Sequence, residues 1–230
     1  MLKKTLSLGF VIVICLCATL DTFAQITPIE TIGGGMNMRI RDRTTAISIP
    51  YEPYFNIEAS MMNIELFNGE RPEGFYRYNL EQEVLEKSNS DETIKAGQIK
   101  SFRILNGDGT VAQTFVNIKT LWPKSEYLGF FEQVDENFTV VVKHYLEQKA
   151  ADYDPTLNMG NPYDRVEKEI EVYYRVIDKW FLAPDSRKKF IAALSEFQST
   201  SDLKKFMKKN KLKVANPKDI AKVIDFVTNN

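Results

Sequence analysis

Alternating apolar and polar positions recur between residues 61 and 177 and predict a series of β-strands. The clearest example is residues 99–104, where apolar and polar side chains alternate with the period of a strand that buries one face. An apolar-rich segment, residues 61–67, ends at Asn68 followed by Gly69, a pair typical of a tight hairpin turn. The other predicted strands are residues 75–78, 84–87, 110–118, 128–134, 138–146 and 169–177.

Apolar positions at helical spacing follow in the C-terminal part of the chain and predict three short helices. Asn216 followed by Pro217 is a typical start for the third helix, because the Asn side chain can cap the first turn and the proline ring fixes a helical φ. Helices this short are unstable alone in water, so we expect them to pack together or against the sheet. Their apolar faces are Phe190, Ile191, Leu194 and Phe197, then Leu203, Phe206 and Met207, then Ile220, Val223, Ile224 and Val227.

The order of these elements predicts an α+β protein. Strand follows strand without an intervening helical pattern, so an antiparallel β-meander is expected rather than a parallel sheet. The meander either stays open or curls into a partial barrel, and a C-terminal subdomain of three short helices follows it. We assign residues 25–182 to the β-rich domain and residues 183–230 to the basic helical subdomain.

The first 24 residues have the pattern of a cleavable secretory signal. Lys3 and Lys4 precede an apolar run of about 15 residues, and Thr22 and Ala24 occupy the two positions that a signal peptidase recognises. The run is shorter than the roughly 20 residues that a membrane-spanning helix needs, although a retained N-terminal anchor is the alternative. We therefore predict cleavage before Gln25 and export of the rest of the chain.

Both cysteines, Cys15 and Cys17, fall within the predicted signal segment. The exported chain would contain none, which excludes disulfides, thiolate metal sites and a cysteine nucleophile. An exported chain of about 206 residues without disulfides is typical of a bacterial envelope protein. The remaining sequence has no apolar run long enough to cross a membrane, so we expect the protein in the periplasm, associated with the envelope or outside the cell.

Charge divides the exported chain into two unequal parts. Residues 25–184 contain 17 lysines and arginines and 25 acidic residues, a net charge of −8. Residues 185–230 contain 11 basic and 5 acidic residues, a net charge of +6. A basic tail on an acidic body indicates an electrostatic role, such as attraction to an anionic partner.

A lysine-rich face on the second predicted helix is the strongest candidate for a binding surface. At about 100° per residue, the helix places Leu203, Phe206 and Met207 on one side and its lysines on the other. Such a surface fits anionic lipid headgroups, lipopolysaccharide phosphates or an acidic envelope protein, whereas export argues against nucleic acid. The alternative is an ordinary amphipathic helix with a solvated face. The candidate partner-binding residues are Lys204, Lys205, Lys208, Lys209 and, in the following loop, Lys211.

A second candidate surface consists of Tyr51, Tyr54 and Phe55, which lie next to Pro50 and Pro53. Aromatic side chains near prolines can line a ligand groove or anchor an interface. The alternative is that these three rings close one end of the sheet.

Three segments carry a resemblance to a known group of proteins. They are the sequence Phe-Tyr-Arg-Tyr-Asn-Leu at residues 75–80, the strand at residues 99–102, and the lysine-rich stretch at residues 208–213 before the last helix. The chain resembles exported Gram-negative envelope proteins that pair a β-rich body with a short helical tail and whose function is uncharacterised. The resemblance implies the same architecture and supplies no catalytic residues.

Residues that could support catalysis or metal binding are sparse. His144 is the only histidine in the chain, which is too few for a histidine-based zinc site. The acidic loop at residues 152–160 lacks the twelfth-position glutamate of a calcium loop, because Tyr163 stands there. We therefore predict no catalytic residues, no metal site and no cofactor.

The leading hypothesis is an exported, non-enzymatic envelope protein that binds a protein partner or an anionic envelope component. The alternative is a carrier of an apolar ligand, held between the sheet and the helical tail, whose strand residues would line a cavity. A carboxylate-based polysaccharide hydrolase is the second alternative. It needs two acids that converge in a cleft, drawn from pairs such as Glu81 with Glu83 or Glu167 with Glu169.

Overall fold

Strands and helices cover most of the chain that the structure describes. In the computed structural model this part comprises residues 51–123, 125 and 129–229, so the predicted signal segment and its cleavage site lie outside the described residues. The strands are β1 Ser60–Leu66, β2 Glu73–Asn79, β3 Val84–Lys87, β4 Thr93–Lys95, β5 Ile99–Leu105, β6 Val111–Asn117, β7 Phe130–Gln133, β8 Val140–Lys149, β9 Arg165–Val176 and β10 Lys179–Leu182. The helices are α1 Ile118–Leu121, α2 Arg187–Leu194, α3 Thr200–Lys209 and α4 Pro217–Thr228.

All ten described strands belong to one antiparallel sheet, and with the helices they form a mixed α+β structure, as predicted. The strand order is β10-β9-β8-β7-β6-β5-β1-β2-β3-β4, and the sheet is open. A simple meander would keep every consecutive pair of strands adjacent, whereas β5 leaves β4 and pairs with β1. This pairing places Phe102 opposite Ile64, and both are buried. The expected meander is therefore interrupted once, between β4 and β5. There the chain crosses back over the sheet, because the pairing of β5 with β1 buries apolar side chains.

The predicted strands differ from the observed ones mainly in length. β8 continues to Lys149 and β9 begins at Arg165, so together they form a longer hairpin than the alternation indicates. The three-residue β4 and the four-residue β10 are not predicted, because so few residues show no periodicity. The predicted strand at residues 128–134 falls partly outside the described residues, and β7 occupies Phe130–Gln133.

The apolar face of the sheet curves so strongly that distant strands share one core. The rings of Tyr78 on β2 and Phe130 on β7 lie 5.5 Å apart, although these strands are four steps apart in the sheet order. In a flat sheet, four steps would separate them by about 19 Å. Phe102 stacks on Phe115 at 4.7 Å in the same cluster. Aromatic contacts therefore fill the concave side.

A buried asparagine joins the end of β6 to the turn that precedes β5. The side-chain nitrogen of Asn117 donates hydrogen bonds to the carbonyl oxygens of Ala96, at 2.8 Å, and Ile99, at 2.9 Å. Its side-chain oxygen accepts a bond from the backbone N–H of Lys119 and so caps α1. Both N–H groups and the oxygen of this amide are satisfied, as a buried polar group requires.

The helices α2, α3 and α4 pack against the β8–β9 end of the same sheet face. Val140, Tyr174 and Val176 are buried there with the apolar sides of the helices. Phe197, which its spacing assigns to the first predicted helix, follows the end of α2 instead. None of the described helices is long and apolar enough to span a membrane. The buried helix residues are Phe190, Ile191, Leu194, Leu203, Met207, Ile220, Val223, Ile224 and Val227.

The opposite face of the sheet carries a smaller apolar cluster near β10. Trp180 of β10 lies 4.8 Å from Trp122, measured between ring centroids, and Trp122 also contacts Phe131 of β7 at 5.4 Å. Tyr173 of β9 packs edge-on against Phe131 at 5.5 Å. Because β10 has only four residues, its backbone pairing is short, and these ring contacts add apolar packing to it.

Candidate functional site

Helix α3 presents the predicted lysines to solvent. All five side chains are exposed, four of them on the helix and one in the turn that follows it. Their positions at i, i+1, i+4 and i+5 place them along one side of the helix. We call this surface the lysine face, and it consists of Lys204, Lys205, Lys208, Lys209 and Lys211.

Apolar contacts fix the orientation of the lysine face. Leu203 and Met207 are buried in the cluster that α3 forms with α2 and α4, and Phe206 stacks on Phe226 of α4 with ring centroids 4.1 Å apart. After the helix, the chain turns at Lys211, whose φ is +54°. The lysines therefore lie on the side of α3 that faces away from the protein.

The acidic sheet does not neutralise the lysine face. Among the described residues, the only ion pair of this face joins Lys205 to Asp202 on the same helix, with 3.8 Å between Nζ and Oδ1. Both side chains are more than half exposed, so the pair contributes little to stability. Arg187 donates to the backbone carbonyl of Lys204 at 3.4 Å and adds a further cation beside the face. The positive charge remains available to an external anion.

The three predicted aromatic residues occupy different environments and do not form one surface. Phe55 packs into the concave core, edge-on to Phe115 at 5.1 Å and to the ring of His144 at 4.7 Å. Tyr51 is exposed, and a hydrogen bond to Glu81 raises the pKa of its hydroxyl. The position of Phe55 agrees with the interpretation that this segment closes one end of the sheet.

Tyr54 belongs to a polar cluster on the β2–β3 hairpin that the sequence does not predict. Its hydroxyl donates to Oε2 of Glu86 at 2.8 Å, and this bond raises the pKa of Tyr54. The guanidinium of Arg77 lies 3.5 Å from the same oxygen and 4.0 Å from the centre of the Tyr54 ring. Asn79 donates to the other oxygen of Glu86 at 2.9 Å. Arg77 and Glu86 are direct cross-strand partners, and opposite charges at paired hairpin positions are the signal that could have located them.

An open cleft of about 630 Å³ borders this polar cluster. Arg77 and Glu86 bond to each other, and Lys87 pairs with Glu92 at 2.8 Å. Three of the four charged side chains that line the cleft, Arg77, Glu86 and Lys87, are thus already paired within the protein. The lining residues are Ile57, Ala59, Arg77, Glu86, Lys87, Ser88, Asn89, Ser90 and Asp91.

The single histidine pairs with a glutamate between the concave core and α4. Nε2 of His144 lies 2.7 Å from Oε2 of Glu132 on β7, and Gln113 donates to the other oxygen at 3.0 Å. Burial opposes ionisation of Glu132, but the hydrogen bonds from His144 and Gln113 and the charge of Lys218 outweigh it and lower the pKa of Glu132. Gln113, Glu132 and Lys218 also line an open cleft of about 400 Å³.

The described carboxylates give no support to acid catalysis. A general acid needs a pKa raised towards neutrality, whereas hydrogen-bond donors lower the pKa of every described carboxyl group that is shifted. Glu167 and Glu169 both bond to Lys149, and the described chain holds no group of three or more His, Cys, Asp or Glu side chains that could bind a metal ion. The shifted groups are Glu65, Asp108, Glu132, Asp152 and Glu167.

Comparisons with protein-family models, with curated proteins and with solved structures found no match to this chain. The fold and surface define a class, an α+β protein with an open antiparallel sheet and a basic helix at its surface. The lysine face and the charge distribution are the features of this class from which a function can be inferred.

Proposed function

We propose that this chain is an exported, non-enzymatic envelope protein that binds an acidic partner through the lysine face. The observation that carries the proposal is a helix with one side buried in the protein and five exposed lysines on and just after the other. The partner is an envelope protein or an anionic surface component, because both present the carboxylates or phosphates that lysines attract.

The distribution of charge favours one orientation of the bound protein. Residues 25–184 have a net charge of −8 and residues 185–230 one of +6. An anionic partner therefore repels the sheet and attracts the tail, so the protein approaches it with the helices first. Charge complementarity of this kind increases the rate of association and selects against the wrong orientation.

Export is supported by the N-terminal pattern. The predicted signal at residues 1–24 carries both cysteines, so the part of the chain that remains needs no disulfide in an oxidising compartment. The resemblance to exported Gram-negative envelope proteins supports the same compartment. We infer a location in the periplasm, on the envelope or outside the cell.

We also propose that the curved sheet is a partial barrel and that α2, α3 and α4 act as a subdomain that carries the lysine face. The distance of 5.5 Å between the rings of Tyr78 and Phe130 supports the curl. Packing of the helices on Val140 and Tyr174 supports a fixed position for the subdomain. A rigid base of this kind lets the lysines face one partner surface together.

The contacts favour this proposal over a carrier or a hydrolase. The strand residues that would line a ligand cavity pack against other side chains, as Phe102 does against Phe115 at 4.7 Å. For a hydrolase, the candidate pair Glu167 and Glu169 is bound by Lys149. The hydrogen bond from that lysine lowers the pKa of Glu167, which opposes proton donation by this acid.

The test is to reverse the charge of the lysine face in the chain that begins at Gln25, with Lys204, Lys205, Lys208 and Lys209 all changed to glutamate. Each lysine near an anionic surface contributes about 1 kcal/mol, so binding should fall at least tenfold. Two measurements apply. Co-sedimentation uses vesicles with and without anionic phospholipid, and co-purification uses the envelope fraction of the host.

A matched control makes the same change in charge elsewhere on the protein. Lys95, Arg103, Lys119 and Lys179 are all exposed and lie on or next to the sheet. Their replacement by glutamate should reduce association far less. Circular dichroism should report an unchanged fold for both variants. If the lysine-face variant associates as strongly as the unmodified protein in both assays, the lysine face is not the binding surface.

A further inference from the structure

The junction between the sheet and the helices contains an open cleft of about 400 Å³. Residues of β6, β7 and the turn after β7 line it, together with Asn216, Pro217 and Lys218 at the start of α4. Binding sites for small molecules are usually clefts of about 300–1,000 Å³, so this cleft has the volume of a site for a small ligand. It also contains Glu132, a half-buried carboxylate that the proposed function does not use.

Side chains of the protein itself fix the carboxylate of Glu132. Nε2 of His144 lies 2.7 Å from its Oε2, and Gln113 donates to its Oε1 at 3.0 Å. Burial raises the pKa of Glu132, but these bonds outweigh burial and lower the pKa below its ordinary value. A carboxylate has about four lone-pair positions, so each oxygen can accept one more bond. A ligand ammonium that enters the cleft therefore meets a charged and oriented acceptor.

Lys218 adds a cation to the same cleft. Its side chain is exposed, and its charge contributes to the lowered pKa of Glu132. Among the described residues, Lys218 forms no ion pair, whereas Lys222 on the same helix pairs with Asp219 at 3.4 Å. The cleft thus combines a fixed anion with a cation that is not bonded to it.

The other charged side chains of the cleft select for a ligand that carries positive charge. Asp135 and Glu136 also line it, so three acids accompany the single lysine. The carboxylate of Asp135 already accepts bonds from the backbone N–H groups of three residues in the following turn. A simple anion is repelled by this excess of acids. A ligand with an ammonium and a carboxylate instead matches both Glu132 and Lys218.

Apolar side chains form another part of the lining. Val111 on β6 is 49% exposed, and Val134 and Pro217 border the same cleft. These side chains offer an apolar group of the ligand a surface on which it leaves water. An amino acid with an apolar side chain therefore has all three features that the cleft can recognise.

We propose that this cleft binds a small zwitterion, namely an apolar amino acid or a dipeptide of such residues. The ligand ammonium bonds to Glu132, its carboxylate lies beside Lys218, and its apolar side chain packs against Val111 and Val134. The two charged groups of a dipeptide are one residue, about 3.8 Å, further apart, so the spacing of Glu132 and Lys218 selects between the two lengths. The site shares no residue with the lysine face and does not depend on the proposed function.

An NMR titration of the chain that begins at Gln25 tests the proposal, with leucine and leucyl-leucine as the probes. The amide signals of Gln113, Glu132 and Lys218 should shift saturably with at least one probe, and the tighter binder identifies the length of the ligand. N-acetylation removes the ammonium of that probe, and amidation removes its carboxylate. Each modified probe should bind about tenfold more weakly, because each loses a charge-assisted hydrogen bond.

Two variants assign the two charges of the site. Glu132→Gln should weaken binding of the unmodified probe about tenfold and leave binding of the N-acetylated probe unchanged. Lys218→Gln should weaken binding of the unmodified probe by a similar factor and leave binding of the amidated probe unchanged. Glu70→Gln and Lys222→Gln make the same changes in charge at exposed positions outside the cleft, so neither should alter binding.

Three results would overturn the proposal. The first is the absence of saturable shifts with both probes, and the second is unchanged binding in Glu132→Gln or Lys218→Gln. The third is equal binding of the unmodified probe and either modified probe, because the site would then not require both charges. The variant with glutamates on the lysine face should bind the probes as the unmodified chain does, so a failure of the proposed function and a failure of this site are distinguishable.

Discussion

Asn117 and Glu132 are polar side chains inside this protein that are each held by several hydrogen bonds. Asn117 uses both N–H groups and its oxygen on backbone partners. Glu132 accepts bonds from Gln113 and His144 on the neighbouring strands. A buried polar atom that loses its partner costs about 1–3 kcal/mol. Loss of a hydrogen-bond partner at either residue should therefore lower the stability of the sheet by an appreciable amount.

Replacement of Asn117 by leucine should lower the free energy of unfolding by about 2–4 kcal/mol. The leucine removes the hydrogen bonds that Asn117 donates to the carbonyl oxygens of Ala96 and Ile99, and it removes the cap of α1. Urea denaturation followed by circular dichroism measures the change. Asn229→Leu, at an exposed position after α4, is the matched control and should change the value by less than about 0.5 kcal/mol. Equal effects of the two substitutions would contradict the structural role of Asn117.

The lowered pKa of Glu132 predicts a pH-dependent contribution to stability. Although burial opposes its ionisation, hydrogen bonds from His144 and Gln113 prevail in the folded state. The contribution is therefore present above the ordinary pKa of the carboxyl group, 4.5. It is lost as the pH falls through the lowered folded value.

Glu132→Gln should remove this dependence, so the variant should lose less stability than the unmodified protein between about pH 5 and pH 3. Thermal unfolding over this range is the measurement. Glu70→Gln, at an exposed turn, should behave like the unmodified protein. The same pH dependence in all three proteins would show that Glu132 has no special role.

Among the elements, the helices depend on packing more than on their caps. At α4, the predicted cap is confirmed, since the side chain of Asn216 accepts a bond from the N–H of Lys218 at 3.0 Å. At α3, Ser199 makes no side-chain capping bond. A ten-residue helix is marginal in water. Burial of Leu203 and Met207 must therefore supply much of its stability, and the same burial fixes the direction of the lysine face.

The β8–β9 hairpin is the element whose two edges are least protected. β7 pairs with β8 only at Val141 and Val142, and β10 covers only the inner end of β9. The outer hairpin therefore has open backbone groups on both sides within the described chain. Charged side chains at alternate positions discourage pairing with the same edge of another copy.

At the scale of the whole molecule, two apolar clusters lie on one face of one sheet. The concave core contains Phe102, Phe115 and Phe130, and the second cluster joins β8 and β9 to the helices. The pair of His144 and Glu132 lies between them. Since the helices cover strands of the same sheet, we expect the two parts to fold together.

A chain that ends at Leu182 should therefore fail to fold cooperatively. Loss of the helices would expose Val140, Tyr174 and Val176, which are buried in the full structure. Urea unfolding and NMR peak dispersion measure the outcome. A chain that begins at Tyr51 keeps both clusters and should fold, so it is the control. Cooperative unfolding of the shortened chain would instead make residues 25–182 an independent domain.

The sequence by itself determined the local structure and the solvated side of α3. The alternation at residues 99–104 identified β5, because burial of one strand face requires a period of two. Helical spacing separated Leu203 and Met207 from Lys204 and Lys208 in the same way. These features depend on residues a few positions apart, so the order of side chains along the chain specifies them.

Only the tertiary structure decided which strands are neighbours and which aromatic residues become core. The return of β5 to β1 and the burial of Phe55 beside Phe115 join residues far apart in the chain. Tyr54, one position before Phe55, faces a polar cluster instead. These outcomes depend on how strongly the sheet curves. The curvature results from many weak packing contacts across several strands. No short stretch of sequence can therefore specify it.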